Sequence, residues 1–307
     1  MKTTPVTSDD LMASVLAVPP LARRADLSLN LEENRRLVRH IEEGGVTTLM
    51  YGGNANFYNL PPSEFAGAVE FLADTADAAS WVIPSVGPDY GRMIDQADTL
   101  RAMDFPTCMV LPLVSPATPE GVKRGVRRFV DRFGNPVILY VKQAGYLGPD
   151  DIAELSGDGL VCAIKYAIVR DDPGEDDYLR ALVDKVDRSR VLSGMGERPA
   201  VVHLRDFGLA SFTSGSVCVA PHAATRMLAA LKSRDYARAE ALRAAFLPLE
   251  DCRDAIDAVR VLHAAVDLAG IADMGPVLPL LHDLEEEHRP RVARAARDLL
   301  RFDQEQR

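Results

Sequence analysis

The stretch PVILYVKQAGYLGPDDIAELSGDGLVCAIK, residues 136–165, contains one full repeat of the pattern that decides the fold. The apolar run PVILYVK is followed by a Gly-Pro-Asp triplet typical of a helix start, and a second apolar run begins at Leu160. These runs are apolar on both faces, as strands of a parallel sheet covered on both sides require. The stretch therefore predicts a strand–helix–strand unit.

The same unit recurs along the chain. Eight short apolar runs alternate with stretches patterned like amphipathic helices, and successive runs start far enough apart for a helix and two loops. The runs begin at Ser14, Val46, Trp81, Thr107, Pro136, Leu160, Arg190 and Leu209. Eight such units predict an α/β fold, the (β/α)8 TIM barrel, whose typical size is roughly 250 residues. A doubly wound open sheet is the alternative, but no GxGxxG motif follows any run.

After Pro221 the pattern becomes purely helical, with Ala- and Leu-rich segments at helical spacing. We predict a catalytic barrel over residues 1–230 and a C-terminal helical extension over residues 231–307. Because no low-complexity linker separates them, the extension is expected to pack on the barrel.

Composition excludes several classes of partner. The 307 residues include 35 basic and 45 acidic ones, a formal charge of −10, which argues against nucleic acid and anionic membranes as partners. No signal peptide is recognisable and no run approaches the ~20 apolar residues of a membrane span, so we expect a cytoplasmic protein. Four scattered cysteines without metal-ligand spacing predict reduced thiols and no metal site.

A lysine, Lys165, lies at the end of the sixth apolar run. An ammonium group is rarely left in a strand core unless it is paired or used, because taking it out of water is costly. At the carboxyl ends of barrel strands, partial desolvation and a nearby cation lower a lysine pKa and give the neutral amine that forms a Schiff base with a ketone. The alternatives are a strand-end lysine that extends its charge into water, or one half of a buried ion pair.

Two residues at the end of the fifth run are candidates to act with Lys165. The phenol of Tyr140 is suited to shuttle protons during imine formation, or it is a core residue with a satisfied hydroxyl. Lys142, two residues further on, is expected to share its face. Its charge would help to keep Lys165 neutral, or Lys142 would itself be the nucleophile.

The segment LMYGGNANFYN, after the second run, offers a loop for an anion. Gly52 and Gly53 free the backbone to approach a ligand, and consecutive amides with the Asn54 side chain suit a carboxylate. A Gly-Gly-Asn stretch is also a common turn.

Together these segments resemble the dihydrodipicolinate synthase/N-acetylneuraminate lyase family of pyruvate-type Schiff-base aldolases and dehydratases. The resemblance is carried, in order, by EEGGVTTLMYGGNA (42–55), VILY (137–140), CAIKYA (162–167), LSGMGE (192–197) and DMGPVLPLL (273–281). It implies the same barrel with three C-terminal helices, a homodimer or homotetramer, and no cofactor, since the lysine supplies the electrophilic activation.

The resemblance also implies roles for individual residues. Lys165 would form the imine, Tyr140 would move protons, and residues 52–54 would cradle the carboxylate. Gly194, in the seventh-strand segment, and Lys142 join the expected substrate-binding residues.

Several positions depart from the family pattern. Gly53 and Asn54 stand where the family has Thr-Thr, and Asn56 replaces the glutamate of that loop. Leu113 and Val114 stand where the synthase has a tyrosine pair, and no matching arginine follows Tyr140. We therefore predict a poor dihydrodipicolinate synthase.

The expected activity is that of a Schiff-base-forming lyase acting on pyruvate or a related 2-oxo acid through Lys165. Two alternatives remain open. One is a dehydratase of a deoxy-keto sugar acid that uses the same lysine, and the other is a non-catalytic 2-oxo-acid-binding protein on the same fold.

Overall fold

The computed structural model describes every residue from Met1 to Arg307. Eight parallel strands form a closed barrel in which each strand pairs with the next and the last pairs with the first. The strands are β1 (Leu16–Ala17), β2 (Thr48–Tyr51), β3 (Trp81–Val86), β4 (Met109–Val110), β5 (Val137–Val141), β6 (Val161–Tyr166), β7 (Val191–Ser193) and β8 (Ser211–Ser214). The predicted (β/α)8 barrel is confirmed, and the open-sheet alternative is wrong because the sheet has no free edge.

Twelve helices surround and extend the barrel. They are α1 (Ser8–Ala13), α2 (Leu31–Glu43), α3 (Pro62–Thr75), α4 (Tyr90–Ala102), α5 (Pro119–Phe133), α6 (Pro149–Gly157), α7 (Asp177–Val183), α8 (Ala200–Asp206), α9 (Pro221–Lys232), α10 (Tyr236–Ala255), α11 (Ala258–Leu268) and α12 (Arg289–Gln304). Helices α2 to α9 alternate with the strands, and α10 to α12 follow them. None of the twelve combines the length and apolarity that a membrane span requires.

Helix boundaries follow the local signals in the sequence. In α5, the Thr118 hydroxyl accepts a hydrogen bond from the Gly121 amide at 3.1 Å, and Pro119 occupies the first helical position. The helix ends at Gly134, whose φ of 93° lies in the left-handed region that glycine adopts without strain. Helices α3 and α6 likewise begin at the predicted prolines, Pro62 and Pro149.

Strand β6 contains a bulge. Val137 pairs with Val161, but the next residue of β5, Ile138, pairs with Ala163, so Cys162 is an extra residue in β6. The alternation of side chains between the two faces of β6 is therefore interrupted at Cys162. Whether Lys165 points into the barrel or toward the helices is decided by the contacts of the residues after Cys162.

Those contacts place Lys165 in the barrel interior. The next residue, Tyr166, packs outward against the helical layer, with its ring centroid 5.9 Å from that of Tyr178 in α7 and 6.0 Å from that of His203 in α8. Because successive strand residues point to opposite faces, Lys165 points inward.

The C-terminal helices share a continuous apolar core with the barrel. Phe246 and Leu249 of α10 are fully buried in the same hydrophobic cluster as the strand residues. The Asn56 amide of the loop after β2 donates to the Leu278 carbonyl at 2.7 Å, so the segment before α12 also contacts the barrel mouth. The predicted boundary at residue 230 falls inside α9, and the division into two units stays a prediction.

Candidate active site

The centre of the candidate site is formed by neighbouring residues of β5 and β6. Tyr140 and Lys165 are directly paired in the strand register. The Nζ atom of Lys165 lies 4.6 Å from the centroid of the Tyr140 ring. Only 4% of Lys165 is exposed, although the carboxyl ends of strands form the open mouth of such a barrel. The lysine is thus held against an aromatic face and largely shielded from water.

This environment favours the neutral amine. Burial lowers the pKa of Lys165 to about 7, and the charges of Lys142 and Arg253 act in the same direction. The Tyr140 ring is a favourable neighbour for an ammonium group, but it does not offset desolvation and two cations. About half of the molecules therefore carry an unprotonated, nucleophilic Lys165 near neutral pH.

Tyr140 is held as a proton donor. Burial raises the pKa of Tyr140 to about 12, and the opposing effect of the Arg253 charge is smaller. The phenol is therefore protonated throughout the physiological range. A protonated phenol whose ring lies against the amine matches the needs of imine formation, in which a leaving water must receive a proton.

Lys142 follows the last residue of β5 and is exposed, and it forms no salt bridge. Its charge acts on Lys165 and contributes to the lowered pKa of that lysine. Of the two lysines that the sequence left as possible nucleophiles, Lys165 is the buried one and Lys142 the solvated one.

The loop after β2 presents unpaired amides, as expected of an anion cradle. The backbone N–H groups of Gly53, Asn54 and Ala55 make no hydrogen bond within the protein. The Asn54 side-chain amide donates to the Val18 carbonyl at 2.8 Å, which fixes the loop against the end of β1. Consecutive free amides of this kind form an anion-binding concavity.

Two glycines of the predicted site are required by close packing. A Cβ at Gly52 would lie 2.7 Å from Cε of Met109, closer than real contacts allow. A Cβ at Gly194 would lie 2.6 Å from the Tyr166 carbonyl oxygen and 3.0 Å from Cγ of Lys165. Gly194 therefore makes room for the lysine stem, whereas Gly53 borders open space.

The positions that depart from the family pattern have other tasks. Asn56 is buried, and its side chain is engaged by the Leu278 carbonyl and by Asn59. Leu113 lines a surface cavity of about 930 Å³ beside α4 and α5, which Lys165 does not line, and Val114 is exposed. Neither leucine nor valine carries a side-chain proton to transfer, so a hydroxyl relay is absent at these positions.

The sequence interpretation missed a polar cluster that α10 brings to the barrel mouth. Arg253 of α10 donates from Nη1 to Oε1 of Glu250 at 2.8 Å, and the same carboxylate accepts from the Ser216 hydroxyl. The Arg253 side chain is 11% exposed. Burial alone lowers the pKa of Arg253, but the charge of Glu250 and its hydrogen bond to the guanidinium reverse this effect and raise it. Arg253 is therefore a permanent cation close to Lys165.

Glu197, in the segment after β7, completes this cluster. It is fully buried, and its Oε1 atom accepts from the Ser214 hydroxyl at 2.5 Å, while Oε2 has no hydrogen-bond partner. Burial and the nearby Glu250 raise the pKa of Glu197 to about 8. Glu197 is thus neutral near pH 7, which leaves Glu250 as the counterion of Arg253. No group of three or more His, Cys, Asp or Glu side chains is arranged to hold a metal ion.

Residues 14–299 match the family model described as "Dihydrodipicolinate synthetase family". The chain belongs to this family. Dihydrodipicolinate synthetase family members are lyases, and membership places the chain among such enzymes in general. The recognition made from the ordered sequence motifs is confirmed. No curated protein sequence gives a significant match.

Several solved structures share the fold of this chain. Dihydrodipicolinate synthase from Bacillus clausii superposes with a TM-score of 0.83 at 20% identity, over 94% of this chain and 97% of that one. YagE, a prophage protein of this family from E. coli K12 in complex with pyruvate, gives 0.81 at 21% identity over 95% and 98%. PhdJ bound to a substrate intermediate gives 0.84 at 18% identity over 99% and 100%.

Proposed function

We propose that this protein is a lyase that forms a Schiff base between Lys165 and the keto group of pyruvate or a related 2-oxo acid. The observation that carries the proposal is the buried Lys165 amine, with a pKa of about 7, against the Tyr140 ring. No metal or organic cofactor is required, because the protonated imine itself withdraws electrons from the substrate.

The first chemical step uses the two residues together. The unprotonated Nζ of Lys165 attacks the keto carbon, and one of its protons passes to the former keto oxygen to give a carbinolamine. The Tyr140 phenol donates a second proton to this hydroxyl, which leaves as water, so that an iminium and the Tyr140 phenolate remain. The iminium accepts the electron pair of a neighbouring C–H or C–C bond, and the phenolate takes up the proton lost from that C–H bond or from the hydroxyl of the leaving aldehyde. The enamine is then reprotonated, and hydrolysis frees the lysine. The amides of residues 53–55 would hold the substrate carboxylate during these steps.

Two solved relatives are compatible with this proposal. YagE is described as a complex with pyruvate, and PhdJ as bound to a substrate intermediate. Carried to this chain, the pyruvate complex supports a 2-oxo acid as the first substrate. Cytoplasmic location and a homodimeric or homotetrameric assembly stay predictions.

The direct test is reduction with borohydride in the presence of pyruvate, followed by peptide mapping. We expect a stable adduct on Lys165, no adduct in Lys165→Arg, and an adduct retained in Lys142→Arg, which keeps the charge. An adduct that maps to Lys142 would show that Lys165 is not the nucleophile. The absence of any adduct with a series of 2-oxo acids would refute the mechanism.

The fate of the imine distinguishes the reaction types. Release of an aldehyde from a longer 2-oxo acid would identify an aldolase, and loss of water from a deoxy-keto sugar acid would identify a dehydratase. A non-catalytic binding protein would form the adduct and show saturation without product. A panel of aldehydes and sugar acids, followed by mass spectrometry, separates these outcomes.

A further inference from the structure

Arg253 has donors that no protein group uses. Its Nε donates to the Ala258 carbonyl at 3.2 Å and its Nη1 donates to Glu250. Nη2 makes no hydrogen bond within the protein, although a guanidinium has five N–H groups to satisfy. Nε and Nη1 are therefore held by neighbouring protein groups, while the Nη2 amino group is free.

The free Nη2 group lies beside Gly215, the residue directly after β8. A Cβ at Gly215 would lie 2.9 Å from Nη2 of Arg253, from Nδ2 of Asn54 and from Cδ2 of Leu262. Two nitrogen donors from distant parts of the chain thus converge above one glycine. Asn54 uses one of its two amide hydrogens on the Val18 carbonyl, which leaves the other for a ligand.

Arg253 also lies near enough to the reacting groups for its charge to act on them. Its charge influences both Lys165 and Tyr140. The carboxylate next to the keto group already has candidate donors in the amides of residues 53–55. Nη2 of Arg253 and the second amide hydrogen of Asn54 are donors in addition to these backbone amides, so the site offers more donors than one carboxylate needs.

We propose that Arg253 Nη2 and the Asn54 amide bind a second carboxylate, so that the preferred substrate is a 2-oxo acid with an additional carboxylate on its far end. This assignment rests on the proposed Schiff-base function. It gives the site the cation that is missing from the sequence after Tyr140, supplied by the C-terminal extension instead of by the strand.

The geometry fits an anion better than a neutral group. A charged N–H donor binds a carboxylate more strongly than a neutral group, and the hydrogen bonds to Ala258 and Glu250 use Nε and Nη1 without using Nη2. Gly215 adds no side chain to the space between the two donors. A substrate carboxylate at this point would accept hydrogen bonds from both Arg253 and Asn54.

The test compares two substrates of equal length. Borohydride trapping on Lys165 is measured as a function of the concentration of 2-oxoglutarate, which has a second carboxylate, and of 2-oxopentanoate, which ends in a methyl group. In the wild-type protein we expect 2-oxoglutarate to half-saturate at a concentration about 10- to 100-fold lower, the range given by charge-assisted hydrogen bonds.

Variants assign the effect to Arg253. In Arg253→Gln, we expect slower trapping of both acids, because the Arg253 charge helps to keep Lys165 neutral, but the ratio of their half-saturating concentrations should fall to about 1. In Arg253→Lys, which keeps the charge, we expect part of the advantage of 2-oxoglutarate to return. Arg198→Gln is the matched control, because Arg198 pairs on the surface with Asp251 and Asp254 of α10, the helix that carries Arg253. Retained trapping of 2-oxopentanoate shows that each variant is folded.

The outcomes separate the two proposals. Equal half-saturating concentrations of both acids in the wild-type protein, or a ratio of the two that is unchanged in Arg253→Gln, would overturn the assignment of Arg253 while leaving the Schiff base intact. If the wild-type protein forms no adduct with any 2-oxo acid, the Schiff-base function itself is refuted.

Discussion

The lowered pKa of Lys165 makes a quantitative prediction for the rate of imine formation. With a pKa of about 7, the neutral fraction of the amine rises from about one tenth at pH 6 to about nine tenths at pH 8. The trapping rate at fixed pyruvate should therefore rise about 10-fold over this interval and then level off. An unshifted lysine would instead gain about 100-fold over the same interval and continue to rise above pH 9.

A neighbouring charge also sets the midpoint of this pH profile. Lys142 lowers the pKa of Lys165, so Lys142→Gln should move the midpoint of the profile to higher pH and slow trapping at pH 6, with little change at pH 9. Lys185→Gln removes the charge of a lysine that pairs with Asp150 and does not act on Lys165, so it should leave the profile unchanged. Tyr140 does not titrate in this range, because its pKa is raised to about 12.

The assay is quenched-flow trapping with borohydride at saturating pyruvate, with adduct formation on Lys165 measured by mass spectrometry. A rate that keeps rising beyond pH 9 would show that the amine is not neutralised by its surroundings. Equal profiles for Lys142→Gln and the wild-type protein would show that the Lys142 charge does not reach Lys165.

Three further predictions follow from the site. Tyr140→Phe should keep the fold and lose about 100-fold or more in both trapping and turnover, since general acid–base groups contribute at least that much, and unchanged kinetics would assign Tyr140 to packing alone. Aspartate semialdehyde with pyruvate should be consumed far more slowly than by an authentic dihydrodipicolinate synthase in a parallel coupled assay, because Leu113 carries no proton for a relay; comparable catalytic efficiency would contradict this. Glu197, whose pKa is raised to about 8, keeps its proton in the folded state, whereas the unfolded chain releases this proton near pH 4.5. The free energy of unfolding of the wild-type protein, relative to that of Glu197→Gln, should therefore fall by on the order of a few kcal/mol from pH 5 to pH 7 in urea unfolding. A difference that does not depend on pH would refute a neutral Glu197.

The features that the sequence predicted depend on local patterns. The βα rhythm predicted all eight strands and the closed barrel, because each apolar run is bounded by turn and cap residues that can be recognised in place. Lys165 and Tyr140 were brought together by the expectation that consecutive strands of a barrel are neighbours, and the strand register places them side by side. The bulge at Cys162 was not foreseen, because an extra residue in one strand leaves no mark on composition.

The cluster around Arg253 could not be predicted in the same way. Arg253 is one of many arginines in the Ala-rich helical region, and nothing near it in sequence distinguishes it from a solvated surface residue. Its role depends on contacts with Glu250 and with the loops after β2 and β8, which only the packing of α10 against the barrel creates. Glu197 lay within a recognised segment, but its burial and its pairing with Ser214 are likewise tertiary features.

The position of Arg253 on α10 separates two kinds of evolutionary constraint. Residues on β5 and β6 are tied to the hydrogen-bonded ladder, so a change there puts the shared imine chemistry at risk. Arg253 lies on a helix outside this ladder, so its side chain can change without disturbing any strand pairing. Selection for a substrate of different charge can therefore act on α10 while the residues of the catalytic strands are unchanged. Related enzymes with this barrel can then differ in substrate and keep the same chemistry.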